Sequence, residues 1–262
     1  MTTLQHAAVF EWLYQVAFFH LRISAFFLVA PILSANPLNL QVRLAIVSLV
    51  AMLVAGQVQA PLPAAEDMWP RVVLALREVI LGSSLGLFLR VLFNAAAAAG
   101  EVIAATMGLS FAAMVDPSSG EGNPIVAQLL NQLMLIGFLS VQGPMLILGL
   151  LVRSYTTWPP ANAGLPVGML AEVGASVGPM LVQAMVLMSP VVFVVVLMNI
   201  GTGILNRLAP QMNMFSIGTP LALLIGGAAL VVFMPDMSVK LVALVNDALT
   251  ATDALLSTHP VK

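Results

Sequence analysis

The chain has 262 residues, of which 60% are apolar and only 8% are charged, and its formal net charge is −2. Soluble domains carry about 25% charged residues, so this composition indicates a membrane-associated protein. The charge balance argues against a nucleic-acid partner, and the absence of cysteine excludes disulfides, thiolate catalysis and cysteine-bound metal. The three histidines lie far apart and match no metal-ligand spacing, so we expect no cofactor.

Long uncharged stretches predict an all-α fold of polytopic membrane type, built from helical hairpins with kinked helices. Three of them, 122–152, 173–206 and 208–235, are each long enough to cross a bilayer, whose hydrocarbon core takes about 20 apolar residues of helix. Strands are not expected, because the apolar segments are too long and do not alternate with period two. In chain order, the predicted segments are 12–34, 40–60, 72–94, 95–115, 125–152, 176–206 and 216–235, with a moderately amphipathic tail at 237–257.

Polar side chains recur at helical spacing inside these apolar segments. Offsets of 4, 7 and 11 residues return to nearly the same angle of a helix, which places each set on one face. Ionisable groups are costly when they face lipid, so these stripes predict either contacts between helices of this chain or a surface that lines a channel or meets another subunit. The predicted buried stripes are Glu11, Gln15 and Arg22, then Arg90, Asn94 and Glu101, with a broader set at Gln128, Asn131, Gln132 and Gln142.

The segment at 95–115 is rich in small residues and runs into a loop. Gly100, Ala104 and Gly108 keep a four-residue spacing that lets two helix backbones approach closely. Glycine and proline then end the helix, and the bulky Phe111 and Met114 lie near the start of the loop. Taken alone, this pattern is typical of a plain connector as much as of a functional loop.

The most specific block in the chain is N-R-L-A-P-Q-M-N-M-F-S-I-G-T-P at 206–220. It predicts a helix end with Arg207 near the last carbonyls, a break at Pro210 and a new apolar helix after Phe215. With G-L-S-F-A-A-M-V-D-P at 108–117, this block resembles the FliR family of type III secretion export-gate proteins (FliR, SpaR and YscT). The two motifs occur in the correct order, the resemblance covers essentially the whole chain, and the L-S-F-A form is similar to that of flagellar members.

The resemblance implies a non-enzymatic structural and gating subunit of the flagellar protein-export gate, which would form part of the channel wall and its plug. The implied partners are FliP and FliQ in a hetero-oligomeric helical ring, FlhB and FlhA, exported unfolded flagellar proteins, and the lipid bilayer. The implied location is the bacterial inner membrane at the flagellar basal body, with a projection toward the periplasm. Residues 1–172 would be a FliP-like helical part, and residues 173–262 a FliQ-like hairpin that turns near 207–215.

Two groups of site residues follow from the resemblance by position. The pore plug at 108–122 would include Gly108, Leu109, Ser110, Phe111, Met114, Asp116, Pro117, Gly120 and Gly122. The hairpin motif, which would form a subunit interface, consists of Asn206, Arg207, Pro210, Gln211, Asn213, Phe215, Gly218 and Pro220. Apolar groups at a constriction exclude water and ions, so Phe111 and Met114 would obstruct the channel. Of the 16 methionines, Met107 and Met114 are those we expect to form a deformable seal.

Two other classes of function stay open on the sequence. A small-solute secondary transporter of the inner membrane also has broken helices and buried charges, and Glu78, Arg90 and Glu101 would be its candidate site. The two halves of the chain differ in charge content and show no repeat, which disfavours it. An intramembrane enzyme would need a nucleophile–base pair or metal ligands, and His20 has no acidic residue at a metal-binding spacing.

Overall fold

The computed structural model describes residues 2–31, 39–58, 68–109, 125–160, 167–208 and 214–258, with side chains from Val16 onward apart from 167, 214–217, 255, 257 and 258. Within these ranges all regular structure is helical and no strand occurs, which confirms the predicted all-α class. The helices are α1 (Thr2–Val29), α2 (Leu40–Gln57), α3 (Met68–Thr106), α4 (Ile125–Ser140), α5 (Gly143–Thr157), α6 (Val167–Leu208) and α7 (Met214–Thr258).

Several of these helices are long and apolar enough to cross a membrane. Among the described residues there are four such helices, α2, α3, Gly168–Leu208 of α6 and Gly218–Ala254 of α7, and α4 with α5 would make a fifth if that broken pair is one span. The predicted polytopic membrane character is therefore confirmed.

Two predicted boundaries are wrong because the helices run through them. The break between 72–94 and 95–115 does not exist, since α3 is continuous from Met68 to Thr106 and the alanine run at 95–99 has the highest helix propensity. The boundary between 216–235 and the tail is also absent, since α7 continues through Pro235. Membrane-type helices tolerate proline where neighbouring groups satisfy the carbonyl that it frees.

The predicted single segment at 125–152 is wrong in the opposite sense, because two helices occupy it. Helix α4 ends at Ser140 and α5 begins at Gly143, with Gln142 between them at a φ of 56°. Pro144 explains the break, since proline cannot continue a preceding helix but fits the first turn of a new one.

Two compact units divide the chain. The first comprises Met1–Val91, Gly143–Val177 and Ala248–Lys262, and the second Leu92–Gln142 and Gly178–Asp247. Several helices contribute to both units, because α3, α6 and α7 each cross a boundary between them. The separate proposal of a FliP-like part to residue 172 and a FliQ-like hairpin beyond it stays a prediction.

In the first unit, α1 and α3 approach each other at glycines that the sequence analysis did not single out. Gly82 and Gly86 are buried four residues apart on α3. A Cβ atom on Gly86 would lie 2.6 Å from the carbonyl oxygen of Phe26, and one on Gly82 would overlap the carbonyl of Arg22. Only a residue without a Cβ atom allows this backbone contact, which follows the small-xxx-small pattern of membrane helix pairs.

The second unit has its own apolar core between α3, α4, α6 and α7. Phe93 and Phe138 meet edge to face with ring centroids 5.8 Å apart, a favoured aromatic geometry. A Cβ atom on Gly137 of α4 would lie 3.2 Å from the Val242 side chain of α7. Fully buried members of this core include Leu92, Ile103, Leu130, Met134, Val191, Val195 and Leu241.

Candidate functional site

The start of the predicted plug is fixed by the way α3 ends. Gly108 has a left-handed φ of 81°, which glycine adopts without steric cost. The Leu109 amide donates to the carbonyl oxygen of Ala104 at 3.0 Å, and the Gly108 amide donates to that of Ala105 at 3.1 Å. These two hydrogen bonds are the Schellman arrangement that closes a helix C-terminus. Glycine therefore ends this helix, as the sequence predicts.

An asparagine of α6 and a glycine of α7 contact the same helix end. A Cβ atom on Gly226 of α7 would lie 2.6 Å from the terminal methyl carbon of Met107, so the buried methionine lies directly against that glycine. The Asn199 amide of α6 donates to the carbonyl oxygen of Thr106 at 3.4 Å. The methionine that we expected beside the plug is thus packed against the final helix of the same unit.

The helix that follows the plug begins on the same surface of α3. A Cβ atom on Gly100 would lie 2.5 Å from the Cα atom of Ala127 and 2.9 Å from the carbonyl oxygen of Val126. Small residues on α3 therefore allow the close approach that their spacing predicts. The chain leaves α3 at Gly108 and returns to it at Ala127, and we call these two contacts, with Met107, Asn199 and Gly226, the loop root.

The rest of the predicted plug lies outside the described residues. Gly108 and Leu109 belong to the loop root, whereas Ser110, Phe111, Met114, Asp116, Pro117, Gly120 and Gly122 are not described. Their role in a plug stays a prediction.

The hairpin motif spans the end of α6 and the start of α7. Asn206 and Arg207 lie in the last turn of α6, with Arg207 exposed, and Gly218 and Pro220 lie in the early turns of α7. A helix end with a basic residue followed by a new helix is what the sequence predicts. Pro210, Gln211 and Asn213 fall outside the described residues, as does the side chain of Phe215, and the interface role is untested.

A buried ion pair joins α1 to α3 in the first unit. Arg22 donates to both carboxylate oxygens of Glu78, from Nε at 2.7 Å and from Nη2 at 2.9 Å. Arg77 Nη1 lies 3.6 Å from the same carboxylate. All three side chains are fully buried. A bidentate arginine–carboxylate pair of this kind is among the strongest hydrogen-bonded contacts in proteins.

This group contains two cations and one anion. Carbonyl oxygens at and just after the end of α5 accept hydrogen bonds from the two cations and so offset the excess positive charge. Arg22 Nη1 donates to the Ser154 carbonyl at 2.8 Å and Nη2 to the Trp158 carbonyl at 2.8 Å, while Arg77 donates to the Pro159 carbonyl at 2.9 Å. Cations are favoured at a helix C-terminus, where carbonyl groups lack intrahelical partners. The Arg22 guanidinium also lies 4.1 Å from the Tyr155 ring centre.

This ion pair differs from what the sequence predicts. In the sequence, Arg22 belongs to a predicted stripe with Glu11 and Gln15, whose side chains are not described, and Glu78 belongs only to the candidate transporter site. Glu78, Arg90 and Glu101 lie on one continuous helix. Arg90 is about 18 Å and Glu101 about 35 Å from Glu78 along its axis, so the three residues do not form one site. The sequence does show that charged residues inside apolar segments need partners. It does not show which residue is the partner of each.

The other groups considered for chemistry do not converge. His20 shares a hydrogen bond of 3.2 Å with the Ser48 hydroxyl. Among the described residues, no group of three histidine, aspartate or glutamate side chains is placed to hold a metal ion. Among the described residues, the buried ion pair and the loop root are therefore the two candidate sites that we consider.

A known protein family matches most of the chain. The model of the family described as bacterial export proteins, family 1, matches residues 13–248. The chain belongs to this family. The match includes both motifs, at 108–117 and 206–220. It leaves out the first twelve residues and the end of α7.

Individual members of the family are similar over most of their length. The flagellar biosynthetic protein FliR of Escherichia coli (strain K12) is 31% identical over 82% of each chain, and that of Pectobacterium carotovorum subsp. carotovorum is 30% identical over 90% of each. The surface presentation of antigens protein SpaR of Salmonella typhimurium (strain LT2) is 31% identical over 75% of this chain and 73% of the relative. The predicted FliR-type export component with membrane helices is therefore confirmed.

In this family member, Gly108 offers a direct test of the loop root. Replacing it by valine forces a β-branched residue into the left-handed region, at a cost of about 1–3 kcal/mol. We expect the apparent melting temperature of the purified chain in detergent to fall. Gly227→Val is the matched control, because Gly227 lies in α7 with no atom near its missing Cβ, and it should change stability little. Equal effects of the two changes would contradict the special role of Gly108.

Proposed function

We propose that this protein is a structural and gating subunit of the flagellar type III export gate. It forms part of the channel wall, and its 108–122 loop is the plug that closes the channel until an unfolded export substrate arrives. Family membership and the flagellar form of the 108–117 motif support this function. The energy for transport comes from partners, since the chain has no Gly-rich lysine motif for a nucleotide.

The loop root is the observation that carries the gating role. A plug must stay attached at fixed points while its middle changes position, and both ends of this loop are attached to α3, through Gly108 and through the Gly100–Ala127 contact. The fifteen residues between Leu109 and Ile125 can extend over about 50 Å of chain, which is enough to cross a pore wide enough for an extended polypeptide.

The exposed apolar surface supports assembly with other hydrophobic subunits. Of the most apolar 18 residues, only 28% are buried in α6 and 33% in α7. We propose that residues 1–172 act as a FliP-like part and 173–262 as a FliQ-like hairpin whose 206–220 motif meets a neighbouring subunit. The partners are FliP, FliQ, FlhB and FlhA, in the inner membrane at the flagellar basal body, with part of the assembly on the periplasmic side.

Deleting residues 111–119 tests the plug. Without Phe111, Met114 and their neighbours, the closed channel loses its apolar seal, and we expect the assembled complex to conduct small ions in planar bilayers or liposomes. The double variant Phe111→Ala/Met114→Ala, which keeps the loop length, should leak as well, whereas Phe111→Leu should stay tight.

Assembly is checked on the same samples by native mass spectrometry after co-expression with the other export subunits. One copy of this chain with several copies of two small hydrophobic partners is the expected composition. An assembled deletion complex that holds an ion gradient as well as the wild type would refute the plug. A chain that stays monomeric and binds none of these subunits would refute the proposed function as a whole.

A further inference from the structure

One face of α3 is uncovered in the described part of the chain and carries a polar stripe. Asn94 and Glu101 are exposed there, and Ala97 and Ala98 between them are partly exposed. We call these four residues the Glu101 face. Within the described residues, neither Asn94 nor Glu101 takes part in a hydrogen bond or ion pair. The sequence predicts that this stripe is buried, and the described part of the chain leaves it exposed.

The position of the face makes its exposure costly. It lies within Met68–Thr106, a helix long and apolar enough to cross a membrane. Glu101 lies five residues before the end of this helix, and an ionised side chain that faces hydrocarbon from a membrane helix is costly. Lipid is therefore a poor neighbour for Glu101, which leaves water in a channel or polar groups of another polypeptide.

The alanines favour a polypeptide over water. A surface that lines an aqueous channel gains nothing from small apolar residues between its polar groups, whereas small residues let a second helix backbone come close enough for hydrogen bonds. The same helix makes such a close backbone contact at the neighbouring residue, where Gly100 packs against Ala127 of α4. The Glu101 face has the same kind of surface, with a carboxylate and an amide added.

We propose that the Glu101 face binds a helix of a second polypeptide in the export assembly, one that places a cationic or amide donor opposite Glu101. This inference rests on the proposed function, because it assumes that the chain works in a hetero-oligomer. Arg90 is also exposed and lies on the same helix, about 6 Å before Asn94. The partner helix should therefore also carry an acidic or carbonyl group opposite Arg90. The chain thus recognises its neighbour by charge as well as by apolar contact.

Thiol labelling tests the contact, because the chain has no cysteine of its own. In Ala97→Cys, we expect a membrane-impermeant maleimide to label the isolated chain in detergent at least tenfold faster than the chain assembled with co-expressed export subunits. A cysteine added after Lys262 serves as the control and should label equally in both. An introduced thiol that stays reactive after assembly would show that the face lines water, and one already protected in the isolated chain would show that the chain itself covers it. Either result overturns the proposal.

Charge reversal gives an independent measurement. Glu101→Arg should lower the amount of co-purified partner subunits at least tenfold, and Glu101→Gln should lower it less, since the amide keeps a hydrogen-bond acceptor. Asp253→Lys is the matched control, because it reverses a charge in an exposed ion pair with Arg153, and such pairs contribute little. If the wild type assembles and Glu101→Arg assembles equally well, this inference fails while the proposed function stands. If the wild type recruits no subunit, the proposed function fails first.

Discussion

Glu78→Gln should destabilise the chain more than any other single change of comparable size. The substitution keeps the side-chain volume but removes the only anion within hydrogen-bond distance of Arg22 among the described residues, and it leaves two buried guanidinium groups without that charge. Removing one partner of a buried ion pair costs about 3–5 kcal/mol. At about 2–4 °C per kcal/mol, we expect the apparent melting temperature in detergent to drop by roughly 6–20 °C.

Two companion variants separate charge from geometry. Arg22→Lys keeps the charge but offers three N–H donors on one nitrogen, whereas Arg22 makes five hydrogen bonds from three nitrogens to Glu78, Ser154 and Trp158. We therefore expect a smaller loss of about 1.5–3 kcal/mol. Asp253→Asn removes the exposed pair with Arg153. It should lower the free energy of unfolding by no more than about 1 kcal/mol, with a correspondingly small change in melting temperature. A Glu78→Gln protein as stable as the Asp253→Asn protein would show that the ion pair contributes little to the fold.

Gly82→Val is the second change with a large expected effect. Its side chain would overlap the carbonyl of Arg22 and approach the Cβ atom of Ala25, so α1 must move away from α3. The obstructing atoms belong to backbone that cannot rotate aside, and we expect a cost at or above the upper end of the usual range of about 1–3 kcal/mol for overpacking. The shift would also lengthen the Arg22–Glu78 contact, which lies about one turn away.

Gly174→Val provides the comparison within the same unit. Gly174 lies in α6, is exposed and has no atom within 4 Å of its missing Cβ, so valine should fit there and leave helix stability nearly unchanged. Melting temperatures of both variants, measured in the same detergent, give the difference. Comparable values would mean that α1 and α3 can separate at Gly82 without loss, which would contradict the close helix contact.

The sequence predicted helix content and membrane character well, because both follow from the length of uncharged stretches. Boundaries were predicted less well, because proline has opposite effects in different contexts. At Pro144 the helix is replaced by a new one, whereas α7 continues through Pro235. Local sequence shows the proline but not the neighbouring groups that satisfy the freed carbonyl, and those decide the outcome.

The candidate site was predictable where it depends on local chemistry. Gly108 ends α3 with a left-handed residue, as glycine near a helix C-terminus suggests. The partner of Arg22 was not predictable, since 56 residues separate it from Glu78 and helical spacing gives only the face of a single helix. The Gly82–Gly86 contact shows an intermediate case, because the four-residue spacing is visible in the sequence but its partner helix is not.

The lengths of α6 and α7 bear on how this chain persists in a cell. With 42 and 45 residues, they measure about 63 and 68 Å along the chain, roughly twice the 30 Å thickness of a bilayer's hydrocarbon core. Lipid alone therefore leaves apolar side chains at aqueous depth. In the proposed hetero-oligomer, folding and assembly would be linked equilibria, in which subunit supply sets the fraction of folded chain by mass action. The abundance of this protein would then report the abundance of its neighbours.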